Sequence, residues 1–413
     1  MKRFISALIC VLPFLASCGS DDLTVTVNNP LDSDRLPEMV EVDLAEVNSQ
    51  LDLAEGETFV LKGQDGNEVA YQITSDGKVI FQTALKAKEN QKFTFCKGTP
   101  AEVQTFACGK IYEGKDNDLA WENDLIGFRM YGHKEDIPSG YDIFAKRGTN
   151  LPVLDILYKA EVKDSDERKK HGELLLSDEV AAHRYLMDSI SYHVDHGYGC
   201  DVYAVGPTLG AGTTALLDGE DIVYPFCYDK FEILDDGPLR FTIKLTFRPF
   251  NLGEKENIVE TRIITLDLGR YFNKTEISFE NLDSNPIVAG IVLQDKDGKE
   301  IADAEKGYIA YPAPTMNFDK HQDVDNGIIF VASVFPEALT KAETVYFPDE
   351  ESKARNNSTG HVLAYSEYES GKPFEYYWGA AWDHSNVKSY QEWISIVEKF
   401  SAQLRTPLIV KMK

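Results

Sequence analysis

The densest run of reactive side chains in this 413-residue chain is Tyr192-His193-Val194-Asp195-His196-Gly197-Tyr198-Gly199-Cys200-Asp201-Val202-Tyr203. Two of the eight histidines fall in it, with three tyrosines beside them. Histidine and tyrosine pass protons, which is what β-elimination and glycosidic chemistry on a held sugar ring require. His193 and His196 are the candidate bases, Tyr198 and Tyr203 the candidate acids. Elimination beside a uronate also needs the substrate carboxylate neutralised, by Arg, Asn, a protonated acid or a metal. Arg129, Lys146 and Arg147 are the candidate cations. The run continues into Gly206-Pro207-Thr208-Leu209-Gly210-Ala211-Gly212, where glycine lets backbone approach a ligand closely. His193, Asp195 and His196 are the residue types that hold metals, but near-adjacent strand positions point apart, so neither metal nor cofactor is expected.

Two aromatic clusters suit sugar recognition. Trp121-Glu122-Asn123-Asp124 leads into Phe128-Arg129-Met130-Tyr131, and Tyr376-Tyr377-Trp378 leads into Trp382-Asp383-His384. An aromatic face meets the C–H face of a sugar, while carboxylate and amide groups bond its hydroxyls. The substrate-binding candidates are therefore Trp121, Glu122, Asn123, Arg129, Arg147, Trp378, Trp382 and His384. For hydrolysis, Glu122 or Asp195 is the candidate acid, with Asp124 and Asp201 also available. The separation that distinguishes glycosidase mechanisms is spatial, so sequence leaves the pair open. No phosphate-loop lysine follows Gly206, no GxGxxG opens a helix, and no G-x-S-x-G elbow occurs.

These residues need a scaffold, and its pattern is mainly β. In residues 58–95, short β-rich runs are separated by Asp65-Gly66 and Asp76-Gly77, a strong hairpin signal. That predicts a small β module over 38–109. From 110 to 413, strands are expected at 125–131, 240–247, 259–267, 275–280, 287–293, 307–311, 328–335 and 361–365. Turns at Asp236-Gly237-Pro238, Asp297-Gly298 and Asn326-Gly327 punctuate them. Such spacing argues for a large antiparallel sandwich. Two helices are expected, at 178–190 and after Ser389. There Ser389 and Glu392 form a capping box, and Tyr390, Trp393, Ile394, Val397 and Leu404 share one face.

At the other end, Lys2-Arg3, an apolar run from Phe4 to Leu15 and Leu15-Ala16-Ser17-Cys18 read as a lipoprotein signal. Residues 1–17 would be removed, Cys18 lipidated, and 18–37 would form a tether to the cell envelope, with the outer membrane expected. A formal net charge of −26 argues against nucleic acid as a partner. Of the six cysteines, Cys96, Cys108, Cys200 and Cys227 remain, and sequence proximity favours Cys96–Cys108 and Cys200–Cys227 bridges.

Trp121-Glu122-Asn123-Asp124 through Gly132, Gly140-Tyr141-Asp142-Ile143-Phe144, Tyr192-His193 through Gly212, and residues 232–240 together resemble the domain-of-unknown-function family 4861. The likeness runs from about Val40 to the C-terminus. It implies a secreted bacterial protein or lipoprotein of polysaccharide utilisation, with a galactose-mutarotase-like β-supersandwich behind a smaller β module. It carries over no catalytic residue. The sequence thus points to an exported lipoprotein whose partner is an oligosaccharide or polysaccharide. The expected chemistry is lyase- or dehydratase-type elimination on a uronate-containing substrate, with glycan binding or glycoside hydrolysis as the alternatives.

Overall fold

The computed structural model describes residues 22–132, 138, 140–148, 151–318 and 324–413. One large antiparallel sheet organises them. Its backbone is the strands Arg240–Thr246, Lys255–Asp267, Phe272–Glu280, Phe374–Trp382, Ile328–Val334 and Tyr308–Pro314, paired in that order. Strict alternation along these strands gives the sheet two apolar faces. One of them carries Trp378, Ala380, Ile264 and Val331.

Two smaller sheets cover that face side by side, which makes the expected supersandwich. The first runs Asp221–Val223, Ala211–Asp218, Ser284–Leu293, Gly360–Glu369 and Lys341–Tyr346. The second runs Gly199–Cys200, Asp142–Lys146, Gly127–Met130, Asp118–Glu122 and Cys108–Tyr112. The opposite face, with Phe272, Phe330 and Ala332, takes helix Tyr390–Arg405 through Trp393, Val397 and Phe400. That helix starts as its sequence requires: the Ser389 hydroxyl accepts from Glu392 N–H at 3.2 Å. The Glu392 carboxylate reaches back to the Lys388 N–H at 2.8 Å. Helix Glu179–Ser189 is capped by Asp178.

Three expectations are corrected. The 18–37 stretch is not all tether, because Leu23–Asn28 is a strand whose alternate residues Leu23, Val25 and Val27 are buried. The small module does not end at 109. Ile409–Met412 returns to pair antiparallel with Leu23–Asn28, which also pairs with Asn90–Lys97. Neither expected disulfide forms, and Cys108, Cys200 and Cys227 are thiols. Cys96 belongs to a module strand and Cys108 to the second smaller sheet, while Cys200 lies in that sheet's edge strand and Cys227 in the loop before Lys230–Asp236.

Candidate functional site

The sheet from Cys108 to Cys200 builds the site. Along Asp118–Glu122, Gly127–Met130 and Asp142–Lys146, the residues Leu119, Trp121, Phe128, Met130, Ile143 and Ala145 enter the main core. Period-2 alternation therefore sends Asp118, Glu122, Arg129, Asp142 and Lys146 to the other side. That side is covered by helix Leu154–Lys159 and by Tyr192. All five charged residues are buried, so each needs a partner.

The pairing is dictated by register. Arg129 stands directly across from Asp142, and its Nε donates to Asp142 Oδ2 at 2.9 Å. Its Nη2 donates to Asp142 as well, to Asp201 Oδ2 at 2.8 Å and to the Tyr131 hydroxyl at 2.9 Å; Nη1 donates to the Tyr192 hydroxyl at 3.1 Å. Burial opposes the charge on Arg129, but Asp142 and then Asp201 outweigh it and hold the guanidinium protonated.

A cavity of about 470 Å³ opens over this cluster. Arg129, Asp118, Asp201, Tyr131, Tyr192 and His193 line it, Met316 and Phe318 add apolar surface, and Gln294, Asn356 and Ser358 add polar groups. Burial raises the Asp118 carboxyl, with Arg129 pulling against it. Burial pushes Asp201 up to about 6, again against Arg129 and with Asp142 adding to the rise. The second oxygen of Asp201, Oδ1, is buried without a hydrogen-bond partner among the described residues. Burial also lifts the Tyr131 phenol well above its usual range, so it stays protonated.

His193 is held both at its main chain and at its ring. Its N–H donates to Ser191 Oγ at 3.1 Å, and its Nδ1 is 2.7 Å from the Asp201 carbonyl oxygen. The Asp201 N–H returns to the Tyr192 carbonyl at 2.8 Å. A carbonyl oxygen only accepts, so Nδ1 carries the proton and Nε2 is left with the lone pair of a base.

Of the candidate catalytic residues, His193 and Tyr203 line the cavity. The Tyr203 hydroxyl, however, is buried and donates to the Gly210 carbonyl at 3.2 Å. His196 and Tyr198 are not brought there. His196 Nε2 is 3.2 Å from the Ser191 carbonyl oxygen, and Tyr198 is a surface residue, 40 % exposed.

The expected sugar platforms are core residues. Trp121, Trp378 and Trp382 are 0 %, 0 % and 1 % exposed, and their indole N–H groups donate to Asn273 Oδ1, Thr275 Oγ1 and the Asn326 carbonyl. Trp378 stacks on Tyr141 at 4.0 Å between sheets. Glu122 binds Lys146 Nζ at 2.7 Å and the Val153 and Leu154 N–H groups, which pins the entry to helix Leu154–Lys159. Both residues are thereby removed from the ligand. Asn123 bridges its own turn and the Asp267 and Arg270 carbonyls. Asp124 accepts from Gly269 N–H.

Arg147, Asp195, Trp382 and His384 do converge, but outside the cavity. Arg147 Nε donates to Asp195 at 2.6 Å, its guanidinium lies 5.2 Å over the Trp382 ring, and its Nη1 is 3.4 Å from the His384 carbonyl oxygen. Burial would raise the Asp195 carboxyl, yet Arg147 and the Gly197 and Gly199 N–H groups bring it below the usual range, the reverse of what an acid catalyst needs. Sequence reasoning missed Asp118, Tyr131, Asp142 and Phe318. The usable signal was charge at alternate positions of apolar strands.

Among known proteins, the family model described as a domain of unknown function (DUF4861) matches residues 27–410. A protein of Formosa agariphila, named Uncharacterized protein P7, is 25% identical over 438 residues covering 98% of either chain. Two solved structures from Enterococcus faecalis match over most of this chain. An alpha-mannosidase matches with a TM-score of 0.43 at 9% identity, over 96% of this chain and 46% of its own. A protein in glycosyl hydrolase family 38 gives 0.44 at 10% identity, over 96% and 48%. The chain spans about half the length of these solved structures.

Proposed function

The chain belongs to the DUF4861 family, and from its cavity we propose that it acts on carbohydrate by proton transfer, eliminating across a C–C bond of a uronate-containing oligosaccharide. The observation that carries this is the fixed tautomer of His193, whose Nε2 is a base at a cavity lined by acids and phenols. In the reaction His193 takes the proton beside the uronate carboxyl group. The electron pair forms the double bond, and the departing oxygen takes a proton from Tyr131. Asp201, its carboxyl pushed up to about 6, carries a proton below that pH and there meets the substrate carboxylate as a neutral acid. It takes the role expected of the Arg129 guanidinium, which two aspartates occupy.

Loss of water from an oligosaccharide would make the enzyme a dehydratase, and cleavage of a glycosidic bond a lyase. Mass spectrometry with absorbance of the unsaturated uronate reads both. Turnover that disappears in His193→Ala, in a protein with unchanged circular dichroism, supports elimination. Products that have gained water overturn it in favour of hydrolysis.

The lipoprotein signal at Leu15-Ala16-Ser17-Cys18 supports an exported protein held to the envelope by lipid at Cys18, with the outer membrane as the membrane concerned. Its test is incorporation of labelled fatty acid, present in the parent and absent from Cys18→Ser.

A further inference from the structure

Phe318 is out of place as a core residue. It is 43 % exposed, and Met316 two positions before it is 40 % exposed. Both line the cavity over Arg129, and the Phe318 ring centroid lies 4.8 Å from that of His193. The Met316 N–H is anchored on the Val202 carbonyl at 2.8 Å, which ties this short segment to the loop carrying Asp201. Exposing a phenylalanine forgoes the stabilisation its burial would give.

The same cavity presents polar groups from two other places in the chain. Gln294 is fixed by its Nε2 on the Ala204 carbonyl at 2.8 Å. Ser358 is buried, whereas Asn356 is exposed in a left-handed turn at φ 55°. One lining therefore offers an aromatic face, a thioether and several hydrogen-bonding groups. That combination matches a pyranose, which has a C–H face and a hydroxyl rim.

We propose that Phe318, with Met316 beside it, is the platform on which a sugar ring stacks, and that it selects pyranosides presenting an unbroken C–H face. The stacked ring lies alongside the His193 imidazole, so the same contact sets which ring hydrogen faces Nε2. Phe318 is thus a binding and specificity residue, and it takes the part expected of Trp121, Trp378 and Trp382. This rests on reading the cavity as a saccharide site and is independent of whether elimination follows.

The experiment is calorimetric titration of full-length protein carrying His193→Ala with tetragalacturonate and tetraguluronate as probes. These differ in the C–H face that they offer. Phe318→Ala added to that background is expected to weaken binding of the preferred probe by about tenfold or more, and Phe318→Trp to retain it. Met316→Ala is expected to weaken it less. Equal affinity of the Phe318→Ala and parent backgrounds overturns the platform, as does failure of both probes to bind. If affinity depends on Phe318 while the unsubstituted protein turns over neither probe, the platform stands and the elimination reading falls.

Discussion

Arg129 and Asp142 stand directly opposite each other on neighbouring antiparallel strands, both buried and joined by a hydrogen-bonded ion pair. The pair is covered on one side by the apolar core and on the other by Tyr131 and Tyr192. Removing one member leaves a charge in low dielectric without its main counterion. Asp142→Ala is expected to lower stability by about 3–5 kcal/mol. Urea unfolding of the variant and the parent measures it; a difference below about 1 kcal/mol would show that Asp201 alone suffices for Arg129.

Asp201 gives the protein a pH dependence of unusual sign. Its folded carboxyl titrates at about 6, above the ordinary value of about 3.9. The native state thus keeps a proton that the unfolded chain releases. This contribution is complete below about pH 4 and declines as pH rises to about 6. Asp195, held below its ordinary value, works the other way, contributing at neutral pH and losing its contribution in acid. Melting temperatures between about pH 4 and 7 are expected to fall less steeply with rising pH in Asp201→Asn than in the parent.

The two histidines of the central run separate cleanly. His193→Ala is expected to reduce turnover about 100-fold or more, the usual weight of a positioned base. His196→Ala, which loses a contact to the Ser191 carbonyl outside the cavity, is expected to stay within about threefold of the parent. Steady-state rates on the same oligosaccharide decide it, and equal losses would remove His193 from its role.

Trp378 tests the difference between a core residue and a ligand contact. Its ring fills the space between sheets and stacks on Tyr141. Trp378→Ala is expected to cost about 3–5 kcal/mol of stability. Trp378→Phe, which keeps most of the volume, is expected to fold and bind saccharide with unchanged affinity. Denaturation midpoints and calorimetry on the same samples separate the two effects.

The sandwich was legible because hairpin turns and alternating runs are local signals, and so was the helix after Ser389, whose cap and apolar stripe both formed. Residues 192–203 also stood out, and of their four singled-out side chains His193 and Tyr203 line the cavity while His196 and Tyr198 do not. What could not be read was burial. Trp121 and Trp378 look identical to surface platforms until a second sheet covers them. Glu122 and Arg147 look like ligand-facing charges until Lys146 and Asp195 arrive from distant strands and loops. The strand at Leu23–Asn28 was missed because its main partners lie at Asn90–Lys97 and Ile409–Met412, far outside any local window.

That last pairing has a bearing on biogenesis. As the polypeptide emerges from the ribosome, Leu23–Asn28 appears at the start and its partner Ile409–Met412 only after the whole large sandwich has been made. During that interval one edge of the first strand offers unmatched N–H and C=O groups, the kind of edge that recruits foreign strands. The small module therefore cannot be sealed until the strand Ile409–Met412 is in place. A polypeptide cut short within the helix Tyr390–Arg405 would keep the cavity residues yet carry an open, adhesive edge.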